Sequence, residues 1–129
     1  MRFMMMVTAG QEYEAGAPPH PELVSAIGQL TQEMVQAGVM VSNGGLLPSA
    51  RGARVRVSDA KVVVTDGPFA ESKEVIGGFA IVNVPSRDDA IQLARRFMAL
   101  HAQVLGPTYS GACEVRQMFD GPACDPARG

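Results

Sequence analysis

The sequence predicts an α+β protein with the element order β-α-β-(β-hairpin)-β-α-β, which is a ferredoxin-like sandwich. Three observations predict this class. Strand-like apolar runs alternate with two stretches of helical hydrophobic period, two valine-rich runs flank a short polar turn, and 129 residues suit one domain. Both helices should cover one face of the sheet. Because a bare apolar sheet face is rare on a monomer, we expect a homodimer packed sheet against sheet.

The first half of the chain supplies one strand and one helix. Residues 2–8 form a continuous apolar run, which predicts a strand buried on both faces. A polar loop at 10–19 is long for a connection, so it is either mobile or functional. The helix should begin at Pro21 and end before Gly38, with Gly28 placed where the backbone approaches the sheet. Its apolar stripe consists of Leu23, Ile27, Leu30 and Met34.

The second half supplies the hairpin and the second β-α-β unit. We expect strands at 39–43, 55–57, 62–64, 78–84 and 112–118. The hairpin turn at 58–61 contains no glycine, which favours a four-residue type I turn. The second helix should be capped by Ser86, with Asp89 completing a capping box. The single domain then covers 1–118, and 119–129 form a loose tail.

Composition excludes several classes of partner. The net charge is −2, and the densest basic group is only Arg51, Arg54 and Arg56, which argues against nucleic-acid binding. The first apolar run is too short for a signal sequence or a membrane span, so no membrane partner is expected. The two cysteines, Cys113 and Cys124, lack metal-ligand spacing. Reduced thiols in a cytoplasmic protein fit best, although a disulfide between them stays open.

Residues 64–74 read Val-Thr-Asp-Gly-Pro-Phe-Ala-Glu-Ser-Lys-Glu and are followed by Gly-Gly-Phe at 77–79. This stretch resembles the signature of the DGPF-domain family, which lies within the YCII-related group, and the likeness extends over roughly residues 2–118. The resemblance implies a dimeric α+β barrel built from ferredoxin-like protomers.

The resemblance also bears on activity. Some YCII-related proteins carry a His–Asp pair in a cleft and are regarded as possible enzymes, whereas other family members are associated with sigma-factor signalling. The two histidines here, His20 and His101, do not match the relatives' histidine, which lies in the first helix. Three hypotheses therefore stand: a protein that binds a small molecule, with or without catalysis; a non-catalytic regulatory or protein-interaction module; or a structural dimer without a ligand.

The candidate site is the Asp66-Gly67-Pro68-Phe69 turn. An aspartate before glycine usually accepts a hydrogen bond from the N–H two residues on, but that residue is Pro68, which has none. The Asp66 carboxylate must then reach the Phe69 N–H, pair with a cation, or face a cavity. A purely architectural corner is the competing interpretation.

On the functional interpretation, Asp66 is the candidate catalytic acid/base and Lys73 its electrostatic partner. The ligand, an unidentified small organic molecule, should lie in a cleft between helices and sheet. Neither a cofactor nor a metal is implied. The expected ligand-binding residues are Asn43, Gly67, Pro68, Phe69 and Glu71.

Three other residues receive weaker interpretations. His20, between two prolines, is expected in an exposed loop before the first helix. His101 should interact with the dipole at the end of the second helix. Tyr109 is expected to pack within its glycine-rich loop, with a place over a pocket as the alternative.

Overall fold

The computed structural model describes residues 1–120. Cys124 and the part of the predicted tail from residue 121 onward lie outside that range. The elements in chain order are β1 (Arg2–Thr8), α1 (Gln11–Glu14), α2 (Pro21–Gln36), β2 (Met40–Gly45), β3 (Ala53–Ser58), β4 (Lys61–Asp66), β5 (Ile76–Asn83), α3 (Arg87–Leu105) and β6 (Cys113–Gln117).

Four of these strands form an antiparallel sheet in the order β2-β5-β1-β6. The helices α2 and α3 connect strands that are not neighbours in the sheet, and they pack against each other. This order is that of the ferredoxin-like sandwich, so the predicted fold class is confirmed. β3 and β4 form a separate two-stranded sheet.

The core lies between the helices and one face of the sheet. Phe3 and Val82, which are opposite each other on β1 and β5, are fully buried. The prediction that β1 is buried on both faces is confirmed for the helix-facing side, whereas Met4 and Met6 on the other face are half-buried in the single chain. The helices cover one face alone. The buried apolar residues are Phe3, Met5, Leu30, Met34, Val82, Val84, Ala90 and Ala94.

The predicted helix boundaries are confirmed. Pro21 is the first residue of α2, and Gly38 follows its C-cap with a φ of 75°. At the start of α3, the Ser86 hydroxyl accepts a hydrogen bond from the Asp89 N–H at 3.2 Å and donates one to its carboxylate at 2.8 Å. The expectation for Gly28 is wrong. It is exposed, and a Cβ there would meet no atom within 4 Å.

The hairpin turn also differs from its prediction. Ser58 pairs with Lys61, which leaves a two-residue turn in which Asp59 and Ala60 have φ values of 51° and 61°. Positive φ at both central positions gives the twist that a tight hairpin needs, and this requirement overrides the preference of alanine. The type I turn is therefore not formed.

The loop at 10–19 contains α1 and is tied to the rest of the chain. The Tyr13 hydroxyl donates a hydrogen bond to the Leu46 carbonyl at 2.7 Å. The Glu14 carboxylate accepts two hydrogen bonds from Ser49, described below. Of the two alternatives for this loop, mobile or functional, these contacts disfavour the mobile one.

Candidate functional site

The Asp66–Phe69 turn packs against a short 3₁₀ turn at Ser49–Arg51. Asp66 ends β4 opposite Ala53, and the Gly67 N–H donates to the Gly52 carbonyl at 2.9 Å. The Gly67–Pro68 peptide bond is cis. The Phe69 N–H donates to the Ser49 hydroxyl at 3.1 Å. The donor that was a possible partner for Asp66 is thus used by Ser49.

Ser49 is buried, with 6% of its surface exposed, and it joins three segments of the chain. Its N–H donates to Oε1 of Glu14 at 2.6 Å, and its hydroxyl donates to Oε2 of the same carboxylate at 2.5 Å. Hydrogen bonds to an ionised acceptor are roughly twice as strong as neutral ones. The Glu14–Ser49–Phe69 chain therefore holds the loop of α1, the 3₁₀ turn and the Asp66–Phe69 turn together.

The two turns lie so close together that a side chain at position 67 would not fit between them. A Cβ at this position would lie 1.7 Å from the Ser49 carbonyl oxygen, which is a backbone atom with no freedom to move aside. The motif needs glycine here for close backbone approach. This part of the motif has a structural role whatever else the turn does.

Phe69 lies under an arginine. The Arg54 guanidinium carbon lies 4.2 Å from the centre of the Phe69 ring, and its Nη1 atom lies 3.4 Å from Oε2 of Glu71. The Glu71 carboxylate accepts a hydrogen bond from its own backbone N–H and lies beside Arg54, and these two causes, in that order, lower the pKa of the carboxyl. The three side chains form a small surface cluster at the base of the hairpin.

The Asp66 side chain is exposed. Among the side chains and backbone groups that the structure describes, none donates a hydrogen bond to its carboxylate, and no cation, Lys73 included, forms an ion pair with it. The reasoning that Pro68 leaves this acid without its usual backbone partner agrees with the geometry. Its catalytic role stays a prediction.

An open cleft of about 1210 Å³ lies between the helices and the sheet. Its walls are mostly apolar. The sheet contributes Met5 and Val7, and α2 and α3 contribute Leu23, Ile27, Leu30, Met34, Phe97 and Leu105. Among the predicted site residues, Asn43 and Lys73 line this cleft, whereas Asp66, Gly67, Pro68, Phe69 and Glu71 do not. Two of the seven predicted site residues therefore lie in the cleft, and the other five lie at or next to the Asp66–Phe69 turn.

His101 lines the cleft and is held in one orientation. Only 8% of its surface is exposed. Its Nδ1 atom lies 2.9 Å from the Phe97 carbonyl oxygen, and since a carbonyl can only accept, Nδ1 must carry the hydrogen. The ring packs edge-on against Phe97 at 4.6 Å and stacks on Tyr109 at 5.6 Å between ring centres.

Tyr109 stacks on His101, Cys113 lines the same cleft, and both side chains are neutral at pH 7. Burial, and then the nearby Cys113, raise the pKa of the Tyr109 hydroxyl. Burial also raises the pKa of the Cys113 thiol, and a hydrogen bond that its sulfur accepts from the Met6 N–H opposes part of that shift. The Tyr109 hydroxyl is buried and has no hydrogen-bond partner within residues 1–120. Tyr109 and Cys113 therefore bring polar atoms to the cleft but no negative charge at pH 7.

The inward orientation of His101 was missed at the sequence level, although a signal for it exists. His101 follows Phe97 by four positions and Ala94 by seven, so it continues the apolar stripe of α3. A histidine in line with such a stripe points to the core side of its helix. The interpretation as a helix-end residue is wrong, because His101 is four residues before the end of α3 and is buried.

Two other features were searched for in the described residues: a metal-binding cluster and a membrane-spanning helix. Within residues 1–120, no group of three or more His, Cys, Asp and Glu side chains is placed to hold a metal ion. Over the same residues, no helix combines the length and the apolar character that crossing a bilayer requires.

Fold and cleft together define an antiparallel α+β sandwich with an open apolar cavity between its helices and sheet. The model of the YCII-related domain matches residues 1–105, and the chain therefore belongs to the YCII-related family. A segment of 64 residues is 38% identical to an uncharacterised protein of Rhizobium meliloti (strain 1021), and it covers 50% of this chain. The chain spans about half of that relative, 52% of its length.

Proposed function

We propose that this protein is a DGPF-type member of the YCII-related family that binds a small organic molecule in the helix–sheet cleft. The single observation that carries the proposal is the cleft of about 1210 Å³ with apolar walls and a few polar groups. Ligand sites in proteins have this character, since apolar walls supply affinity and a few polar atoms fix orientation. The Asp66–Phe69 turn then supports the site as part of its framework.

The residues that line the cleft indicate which chemical groups the ligand contains. Lys73 and Asn43 are exposed residues of the lining, so they suit a charged or polar end of the molecule that stays partly in water. The methionines Met5, Met34 and Met40 also line the cleft, and their flexible side chains adapt to an apolar body. An apolar molecule with one anionic end fits this distribution.

Anilinonaphthalene sulfonate, an aromatic anion whose fluorescence rises in apolar sites, tests the proposal. In Ile27→Trp a larger side chain occupies cleft volume, so we expect probe affinity to fall at least about tenfold. Val24→Trp, on the same helix but 54% exposed and outside the lining, is the control and should bind as the wild type does.

Circular dichroism of both variants shows whether the helices are kept. The proposal would be contradicted if the probe did not bind the wild type, or if the two tryptophan variants bound it equally well. Displacement of the probe from the wild type by a metabolite library then identifies candidate ligands.

We also propose the homodimer that the sequence predicts. Met4, Met6, Phe79 and Ile81 share the sheet face opposite to the helices, as their cross-strand pairing requires. The hairpin adds a second apolar surface, the valine face, formed by Val55, Val57, Val62 and Val64. Its four side chains are 63–76% exposed. A second copy would cover both surfaces.

A further inference from the structure

We propose that His101 is the hydrogen-bond acceptor of the cleft and that the site takes a phenol, a weakly acidic hydroxyl on an aromatic ring. This inference rests on the proposed small-molecule function and adds the chemical class of the ligand. It starts from His101, a polar side chain of the cleft that is more than nine-tenths buried and held on two sides by aromatic rings.

The tautomer of His101 is fixed by its helix. Nδ1 carries the hydrogen that bonds to the Phe97 carbonyl, so in the neutral ring Nε2 has the free lone pair. The edge with Nε2 is opposite to the edge that faces the helix backbone, and His101 lines the cleft. Within residues 1–120 Nε2 has no hydrogen-bond partner. A group bound in the cleft can therefore donate to it.

The surroundings decide which donor is suitable. Tyr109 stacks on His101 and Cys113 lines the same cleft, whereas α2 and β1 present only uncharged residues to it. Glu12, Tyr13, His20 and Lys73 are the other titratable residues of the lining. A carboxylate beside His101 would lose its hydration with no fixed cation to compensate, while a neutral hydroxyl loses little.

The body of the ligand follows from the walls. Phe97 and Tyr109 hold the imidazole between them, and Leu30 and Met34 of α2 face the same cleft. Aromatic rings gain from such neighbours through area burial and through ring–ring and sulfur–ring contacts. A ring that carries a hydroxyl meets both requirements. The ring packs against the apolar walls, and its hydroxyl donates a hydrogen bond to Nε2.

The test compares para-cresol with its methyl ether, which has the same ring but no hydroxyl hydrogen. We expect the wild type to bind both, and His101→Phe to bind the ether as before. Affinity for the cresol should fall roughly three- to tenfold, the usual net effect of one hydrogen bond. Isothermal titration or chemical-shift titration measures all four dissociation constants.

A nitrogen-15 NMR titration of the wild type provides a second measurement that needs no variant. A donor bonded to Nε2 shifts the resonance of that nitrogen, so cresol should move the Nε2 signal of His101 whereas the ether should not. Equal losses for cresol and ether in His101→Phe, or equal shifts of the Nε2 signal by the two compounds, would overturn the role of His101. So would failure of both compounds to bind the wild type. None of these results changes the outcome of the Ile27→Trp and Val24→Trp comparison, so the proposed function is tested separately.

Discussion

Gly67 and Gly28 are both glycines in ordered segments, but the space around their Cα atoms differs. A Cβ on Gly67 would meet the Ser49 carbonyl at 1.7 Å, so Gly67→Ala should separate the two turns and destabilise the protein by about 3 kcal/mol. A Cβ on Gly28 meets nothing within 4 Å. Gly28→Ala, in the middle of α2, should stabilise by about 1 kcal/mol.

Chemical denaturation of the two variants checks the sign and size of both effects. If the Asp66–Phe69 turn bound a ligand but had no structural role, Gly67→Ala would keep the wild-type free energy of unfolding and would lose only ligand binding. Opposite changes in stability for the same substitution would show that close backbone approach explains the glycine of the motif.

At the residue scale, the sequence predicted the effect of Pro68 on Asp66 but not the hydrogen-bond partners of the residues around them. The missing N–H follows from covalent structure, so the Asp66 carboxylate could be expected to lack that partner. That the Phe69 N–H bonds to Ser49, 20 residues earlier, could not be read from the chain. Nor could the pairing of Glu14 with Ser49, since it depends on a loop whose path is set by tertiary contacts.

The elements themselves were predictable where local signals agree with tertiary packing. Helices α2 and α3 begin and end at the residues with capping chemistry, because those residues satisfy the backbone groups that a helix end leaves free. The hairpin turn was not predictable in the same way. Strand register imposes a two-residue turn there, although neither Asp59 nor Ala60 is a glycine.

The turn gives the prediction at the scale of elements. Ala60 has a φ of 61°, a conformation that costs a residue with a Cβ roughly 1–2 kcal/mol. Ala60→Gly should therefore stabilise the hairpin by about 1 kcal/mol, less than the full cost because glycine is more flexible when unfolded. Hydrogen exchange of the amides in β3 and β4 measures this local effect.

Ala70→Gly is the control for this effect. Ala70 is exposed and does not have a positive φ, so the glycine should bring no gain there. Faster exchange in Ala60→Gly than in the wild type would contradict the conformation assigned to this turn.

At the scale of the whole molecule, the hairpin is the part that a single chain leaves unsupported. All twelve residues of β3 and β4 are exposed, and isolated two-stranded sheets are marginal in water. The valine face has no covering segment within residues 1–120, whereas the opposite face carries Arg54, which contacts Phe69 and Glu71. We infer that the hairpin becomes rigid when a second copy covers its valine face.

The pairing of Val57 with Val62 allows a matched test of the dimer. Val57→Lys with Val62→Glu keeps a favourable cross-strand pair but removes two apolar side chains from the valine face, so self-association should weaken at least about tenfold. Arg56→Glu with Val63→Lys places a similar charge pair on the other face and should leave association unchanged. Sedimentation velocity over a range of concentrations measures both. A monomeric wild type, or equal weakening by the two double variants, would contradict the role of the valine face in dimer formation.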